Sequence, residues 1–394
     1  MNFYKTLYFS IFMVVLYYVG VDMYSPALPA IARYFQINSD LTRWTITVFV
    51  LTFAISQLIF GMIINRYHHK KMIVLFSVIF MLGSLVCLAS ANISILYIGR
   101  VLQGIGASCL FAIGFATLKN NLEGVELERA LPINSLMYTV FAAMAPLLGG
   151  YITAHFNWQT NFGVMFIFCL LILISILCMY HSEQIIDQAP ININKTVKGY
   201  IDLCKTPMFV INSVMAVNAL IALISFYTLM PFIFIKHMGG SVKLFGWFGF
   251  YFVFLTVLCR LFHLVFLRKR ISSMMSVFLF SILLAIGAIM LLASSLLFKN
   301  NLVAFIVSFS LIIIGGSFVN PNCQVLTFIS VTKQQAGHAS VLFGFIGSLY
   351  IASASMVSAS IPDNLVSLSL IMVVVAILGM VGATLNFYFS YWVK

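Results

Sequence analysis

The stretch TLYFSIFMVVLYYVGVDMYSPALPAI, residues 6–31, contains a single charged side chain, Asp22, and two prolines, Pro26 and Pro29. A helix needs about 20 apolar residues to cross the hydrocarbon core of a bilayer, and this run is long enough. Because no small-residue cleavage site follows it, we interpret it as a membrane span and not as a signal peptide. Acids at bilayer depth are costly, which makes Asp22 a candidate functional residue.

The whole chain shares this apolar character. Of its 394 residues, 62% are hydrophobic and 8% are charged, whereas soluble domains carry about 25% charged residues. This composition excludes an ordinary soluble enzyme. No nucleophile–base pair, phosphate-binding loop or zinc-like spacing of the seven cysteines stands out, so we expect no enzymatic activity, no metal and no cofactor.

Twelve apolar runs are long enough to span a membrane, and barrel strands would be shorter and alternating. The runs lie near 6–31, 43–64, 72–91, 95–118, 132–154, 161–180, 208–234, 244–267, 273–296, 302–328, 338–360 and 366–391. The sequence therefore predicts an all-α membrane protein. The long polar segment 181–207 is expected to be a cytoplasmic linker between an N-terminal half, 1–180, and a C-terminal half, 208–394.

Lysine and arginine are distributed unevenly between the two sides. With both termini in the cytoplasm, fourteen of the 21 Lys and Arg lie on inner segments and five on outer segments, as the positive-inside rule requires. This topology explains the net charge of +12 without a nucleic-acid partner. Attraction of an anionic substrate is the alternative explanation.

The two halves resemble each other weakly at an offset near 202 residues. Pro29 corresponds to Pro231, and the basic turn 66–71 corresponds to 268–270. Repeats of six spans are a transporter architecture, with the substrate site near the membrane midplane between the repeats. We expect two six-helix halves around a central cavity.

Several motifs resemble a known family. DMYSPALPAIARYF (22–35) looks like the first-span signature of Bcr/CflA-type drug-resistance transporters, a drug:proton antiporter branch of the major facilitator superfamily. GMIINRYHHKKMIVL (61–75) resembles the superfamily's loop 2–3 motif, and LYIGRVLQGIGAS (96–108) resembles its fourth-span motif. APLLGGYI (145–152), followed by NWQTNF (157–162), resembles the fifth-span antiporter motif and the start of span 6. GGSFVNPNCQVLTF (315–328) and AGHASVLFGF (336–345) resemble spans ten and eleven of the branch. The resemblance implies a major facilitator fold and proton-driven export of small molecules across the bacterial inner membrane by alternating access.

One motif departs from the family pattern. Asn65 replaces the aspartate of the loop motif, and His68 replaces its glycine. Asparagine can still hydrogen-bond a helix end, but without the strength that a charge adds. In the family the aspartate helps to hold the cytoplasmic gate, so this departure affects the expected energetics of that gate and not the fold. Arg66, Lys70 and Lys71 still supply an inner positive cluster, interpreted as a topology determinant or as part of the gate.

Asp22 has one candidate electrostatic counterpart in the first six spans, Arg100. At about 1.5 Å per helical residue, both residues lie in the outer half of the membrane. We therefore expect Asp22 to bind the coupling proton and Arg100 to modulate it; a static ion pair that fixes helix packing is the alternative. The two prolines are expected either to kink span 1 after Asp22 or to end it.

Two further sets of residues follow from composition and spacing and, for the gating residues, from what the family resemblance implies. Polar and aromatic side chains inside spans could line the substrate cavity or join helices to one another: Tyr18, Asn134, Tyr138, Asn218, Ser225, Asn322 and Gln324. Prolines, small residues and loop-motif residues are expected to serve gating and helix packing: Pro26, Pro29, Gly61, Asn65, Arg66, Gly104, Pro146, Gly149 and Gly150.

The resulting functional prediction is a monomeric proton-coupled exporter of drug-like compounds or metabolites, whose partners are the bilayer, protons and a small-molecule substrate. One alternative is a transporter of an anionic metabolite such as a siderophore, or of an amino acid, in either direction. Another alternative is a membrane sensor or scaffold derived from a transporter, which Asn65 favours and the pair Asp22 and Arg100 disfavours.

Overall fold

The structure is a computed structural model that describes residues 2–64, 67–180, 193–267, 270–298, 301–332 and 335–392, which contain helices and no strand. Twelve of these helices are long and apolar enough to cross a membrane, as predicted. Spans 1 to 12 are Phe3–Phe35, Ser39–Gly61, His69–Leu88, Ile93–Leu118, Gly124–His155, Thr160–Met179, Pro207–His237, Val242–Leu267, Ser273–Leu297, Leu302–Ile329, His338–Ser360 and Leu365–Tyr388. The chain is an all-α transmembrane protein.

Span 5 shows the largest difference from the predicted boundaries. Its helix begins at Gly124, eight residues before the predicted start at 132, and continues through Pro132. Glu126 lies in its first turn, where a carboxylate interacts favourably with the helix dipole. The acidic segment that precedes the apolar run is therefore part of the same helix.

The first compact unit comprises Met1–Ala189 and Phe234–Val253. In it, span 4 packs on spans 1, 2 and 3, span 1 also packs on span 5, and span 3 packs on span 6. Glycines of span 4 allow this close approach. A Cβ at Gly104 would lie 2.8 Å from the carbonyl oxygen of Phe49, and one at Gly106 would lie 2.7 Å from that of Phe76.

The second compact unit comprises Pro190–Ile233 and Phe254–Lys394. Span 7 packs on spans 10, 11 and 12, while span 9 packs on spans 10 and 12. Asn212 of span 7 and Asn386 of span 12 exchange two amide hydrogen bonds of 2.9 and 2.8 Å. The reciprocal pair satisfies both buried amides between two helices.

The pairing pattern of the first unit recurs in the second. Packing of span 1 on 4 and 5 corresponds to packing of span 7 on 10 and 11, and packing of span 3 on 4 and 6 corresponds to that of span 9 on 10 and 12. This recurrence supports the internal repeat that the sequence suggested. The proposed division at 1–180, 181–207 and 208–394 remains a prediction about which helices move together.

The predicted linker is partly helical. Residues 181–192 lie outside the described part of the chain, and Ile193–Cys204 forms a helix. Within the second unit, Leu203 and Phe209 pack against Ala339 and Leu342 near the start of span 11. The linker helix is therefore anchored to that span.

Candidate functional site

Asp22 is the last residue of the first helix of span 1, Phe3–Asp22. A 3-10 turn, Ser25–Ala27, and a second helix, Leu28–Phe35, follow the break. Pro26 has no N–H to donate to the carbonyl of Asp22, so the regular helix stops there. The predicted prolines thus kink the span and do not end it. Asp22 itself is only 7% exposed.

Arg100 on span 4 is fully buried and is held by two acceptors. Its Nε donates to the carbonyl oxygen of Thr45 at 3.2 Å, and its Nη1 donates to Oε1 of Gln103 at 2.7 Å. The Gln103 amide is oriented by its own Nε2, which donates to Oγ of Ser84 at 2.8 Å. Spans 2, 3 and 4 therefore fix the guanidinium together.

Two aromatic rings complete the surroundings of Arg100. The guanidinium carbon lies 4.4 Å from the ring centroid of Tyr24 and 4.3 Å from that of Phe49. A desolvated cation gains about 2 kcal/mol or more from such a ring. The Tyr24 hydroxyl lies 2.6 Å from Oγ1 of Thr45, which donates its own proton to the Thr42 carbonyl. Tyr24 must therefore be the donor, and its ring is fixed in place.

Asp22 and Arg100 form no ion pair in this structure. The ion pairs between described residues are Arg43 with Asp40 and Lys205 with Asp202. The buried cation is stabilised by rings and neutral acceptors, so a static pair is not the arrangement seen here. The predicted roles of Asp22 in proton binding and of Arg100 as its counterpart remain proposals.

Two adjacent glycines of span 5 allow close contacts with the break of span 1 and with the start of span 8. A Cβ on Gly149 of span 5 would collide with the carbonyl oxygen of Met23, directly after Asp22. Gly150 faces span 8: a Cβ at this position would lie 2.9 Å from the carbonyl oxygen of Val242 and 3.3 Å from the Cα of Gly246. The two glycines thus allow span 5 to touch the break of span 1 and the start of span 8.

Six aromatic side chains form a closed ring that includes Tyr17 and Tyr18, four and five residues before Asp22 on span 1. Successive centroids are 4.3 to 6.5 Å apart. The members, in order, are Tyr17, Phe53, Phe111, Phe115, Tyr138 and Tyr18. Tyr18 and Tyr138, both predicted to line the cavity, are stacked at 5.3 Å with an interplanar angle of 10°. Flat π-faces on four helices are suited to an aromatic ligand.

Asn134 lies one helical turn before Tyr138 on span 5. It is fully buried, and neither Oδ1 nor Nδ2 has a hydrogen-bond partner among the described residues. An unpartnered buried amide is costly. The predicted cavity role of Asn134 stays a prediction, supported by this unused hydrogen-bonding capacity.

Span 7 of the second unit is also broken. Its helices Pro207–Met215 and Asn218–Pro231 are separated by Ala216 and Val217. Asn320 of span 10 donates from Nδ2 to the carbonyl oxygen of Ala216, which compensates the interrupted helix. Asn218, predicted to line the cavity, begins the second segment, and its buried Oδ1 has no partner among the described residues.

The other predicted cavity residues of the second unit have different surroundings. Ser225 accepts a 3.1 Å hydrogen bond from Ser358, and Asn322 donates to Ser276 of span 9 at 2.9 Å. These two side chains join helices in the described conformation. Gln324 is exposed, and its role in the cavity is a prediction.

The loop motif between spans 2 and 3 lies only partly within the described residues. Asn65 and Arg66 lie outside the described residues, so their predicted gating roles stay predictions. Lys70 from the same motif donates to the carbonyl oxygen of Leu177, near the end of span 6, at 3.3 Å. Cations near a helix C-terminus are favourable, which gives this lysine a structural contact.

Sequence reasoning missed three residues near the first break. Gln103 and the rings of Tyr24 and Phe49 surround Arg100. Asn320, which bonds the break in span 7, lies in the span-ten motif that the sequence displayed. Gln103 was within a motif that the sequence displayed, three residues after Arg100. The rings carried no signal among 38 phenylalanines and 17 tyrosines.

Helices broken within a span, with polar side chains at the breaks, are typical of secondary transporters. The Major Facilitator Superfamily profile matches residues 10–355, and the chain belongs to this superfamily. It is a multi-pass membrane protein of this superfamily.

Individual relatives are similar over parts of their length. Multidrug resistance protein MdtL of Citrobacter koseri is 30% identical over 156 residues, covering 40% of each chain. MdtL of Escherichia coli O17:K52:H18 is 25% identical over 230 residues, covering 58% of each chain. Riboflavin transporter RibZ of Clostridioides difficile is 32% identical over 136 residues, or 34% of this chain and 30% of that one. The chain thus matches less than two thirds of the length of these relatives.

Two solved structures share the fold over nearly the whole chain. A bacterial homologue of the human lysosomal transporter Spinster, in an inward-facing unoccupied conformation, aligns with a TM-score of 0.72 at 14% identity, covering 97% of this chain and 95% of that one. The peptide transporter POT aligns with a TM-score of 0.75 at 13% identity, covering 97% and 93%. At these identities the likeness shows the fold alone.

Proposed function

We propose that this transporter exports small molecules across the bacterial inner membrane by alternating access, in exchange for protons that bind Asp22. The observation that carries the proposal is a buried carboxylate at the break of span 1 without an ion-pair partner among the described residues. Intramembrane acids mark proton and substrate pathways, and discontinuous helices form the substrate and coupling-ion sites of secondary transporters.

The coupling follows from the cost of an ionised acid in a dry site. In a conformation that excludes water, Asp22 is stable when protonated; when water or the Arg100 guanidinium reaches it, the carboxylate becomes favourable and the proton leaves. The two conformations then differ in proton affinity, and the proton gradient drives the cycle. Arg100 is the proposed counterpart because it is the buried cation of span 4.

The cargo that the first unit favours is a small aromatic molecule. The closed ring from Tyr17 to Phe115 offers stacking faces, and Asn134 offers a donor and an acceptor that the fold leaves unused. The names of two relatives, a multidrug resistance protein and a riboflavin transporter, agree with such cargo. An anionic metabolite such as a siderophore, or an amino acid, moved in either direction, is the alternative cargo.

The proposed topology places both termini in the cytoplasm, as the lysine and arginine bias favours, and the functional unit is a monomer. The test of function uses proteoliposomes loaded with ethidium under an imposed pH gradient. Wild-type protein should move the dye against its concentration gradient. Asp22→Asn should retain dye exchange at equilibrium and lose gradient-driven movement. Gradient-driven movement by Asp22→Asn at the wild-type rate would overturn the proposal.

A further inference from the structure

We infer that Tyr24 and Phe49 are positioning residues of the proton cycle: their rings hold the Arg100 guanidinium away from Asp22 and release it when span 1 moves. This inference rests on the proposed function. Its starting observation is that a fully buried guanidinium is flanked by two rings, at 4.4 and 4.3 Å, with no carboxylate in ion-pair contact among the described residues.

Both rings are coupled to the part of span 1 that carries Asp22, one through the backbone and one by contact. Tyr24 follows Asp22 by two residues and lies within the break itself. Phe49 belongs to span 2, but its ring covers Gly20, two residues before Asp22: a Cβ on Gly20 would lie 2.8 Å from Cζ of Phe49. A shift of span 1 at its break must therefore displace the Tyr24 ring, the Phe49 ring or both.

Tyr24 and Phe49 together form a cage around the Arg100 guanidinium, and Thr45 links this cage to the cation. Its Oγ1 accepts from the Tyr24 hydroxyl, and its carbonyl oxygen accepts from Nε of Arg100. With Nη1 bonded to Gln103, the remaining nitrogen, Nη2, is buried and donates to no described residue. A carboxylate binds a guanidinium through such donors, so Nη2 is the nitrogen that Asp22 would engage after the cage opens.

Asp22 is the acid that we assign to this exchange, because it precedes Tyr24 by two residues and has no ion-pair partner among the described residues. The titratable or charged groups around the cage are Asp22 and Tyr17 on span 1, Asp40 and Arg43 on span 2, Cys87 on span 3 and Tyr97 with Arg100 on span 4. Asp40 is already paired with Arg43. Spans 5 and 6 face the region with Gly149, Phe162 and Met165, which carry no charge.

The test substitutes Tyr24 and Phe49 one at a time and measures the protonation of Asp22 in the absence of cargo. The carboxyl stretch of Asp22 is followed by infrared titration of purified protein, and Asp22→Asn identifies the band. In Tyr24→Leu and Phe49→Leu, Arg100 is no longer held by both rings and becomes available to Asp22. The titration midpoint should fall by about one pH unit. Phe49→Tyr keeps a ring beside the guanidinium and should stay near wild type. Tyr24→Phe keeps the ring but loses its hydroxyl bond to Thr45, so its midpoint should lie between those of wild type and Tyr24→Leu.

A matched control separates this role from simple packing. The ring centroids of Phe162 and Tyr24 are 5.5 Å apart, and Phe162 is not one of the rings that contact the Arg100 guanidinium. Phe162→Leu should therefore leave the titration midpoint of Asp22 unchanged. If either folded leucine variant at Tyr24 or Phe49 titrates like wild type, the inference is wrong. Failure of the proposed function has a different signature, because Asp22→Asn would then keep gradient-driven ethidium transport whatever the rings do.

Discussion

The carbonyl of Met23 occupies the space that a side chain at Gly149 would need. This contact joins the break of span 1, directly after Asp22, to the middle of the antiporter-like motif on span 5. The backbone of one helix thus packs against the backbone of another at the proposed proton site, and only glycine permits it.

Gly149→Ala should therefore destabilise the protein and reduce transport. The added Cβ meets a backbone oxygen, which cannot rotate away, and the strain should cost about 3 kcal/mol or more. Thermal unfolding in detergent measures the effect. Gly163→Ala on span 6 is the matched control, because its Cβ would meet only Cδ1 of Leu88, at 3.8 Å. Equal melting temperatures for the two variants would contradict the close contact.

The Asn212–Asn386 pair should show coupling in a double-mutant cycle. Alanine at either position leaves the other amide buried without its partner, whereas alanine at both removes the two groups together. Polar contacts between membrane helices contribute about 0.6–2 kcal/mol, so we expect a coupling energy near 1 kcal/mol from SDS unfolding equilibria. Strictly additive single and double variants would show that the reciprocal bonds of 2.9 and 2.8 Å do not stabilise the fold.

The aromatic ring of the first unit should determine affinity for flat cargo. Phe111→Leu removes a π-face that contacts Tyr17, Phe53 and Phe115, and should raise the KM for ethidium about tenfold, as expected for the loss of about 1.4 kcal/mol of stacking. The maximal rate should change less. Transport assays in proteoliposomes measure both constants.

The control for this prediction lies in the second unit. Phe278 pairs with Phe387 at 5.6 Å, and Phe278→Leu should leave the KM for ethidium within about twofold of wild type. An unchanged KM in Phe111→Leu would show that the closed ring of aromatic side chains does not bind ethidium. This conclusion would hold whether or not ethidium transport is coupled to protons.

The helix positions were predictable because bilayer thickness fixes the length of an apolar run. The break in span 1 was predictable for a similar reason, since Pro26 removes a backbone donor. The break in span 7 was not, because Ala216 and Val217 are ordinary helix residues. It depends on Asn320, which is 104 positions away in the chain and bonds the carbonyl of Ala216.

The surroundings of Arg100 were also hidden in the sequence. Opposite charge suggested Asp22 as the partner of Arg100. Charge alone does not reveal aromatic rings that bind the same guanidinium. Tyr24, Thr45 and Phe49 reach Arg100 only after spans 1, 2 and 4 have packed. The sequence could thus place the candidate acid and the candidate cation in the same half of the membrane, but not their contacts.

The central claim, that Asp22 binds the coupling proton, is tested most directly by proton release from purified protein in weakly buffered detergent solution. Ethidium and other candidate cargos are added to wild type and to Asp22→Asn at matched concentrations. We predict release on cargo binding by the wild type and none by the variant, with the variant still binding the cargo. Release of equal size from Asp22→Asn would contradict the claim and place the proton on another group.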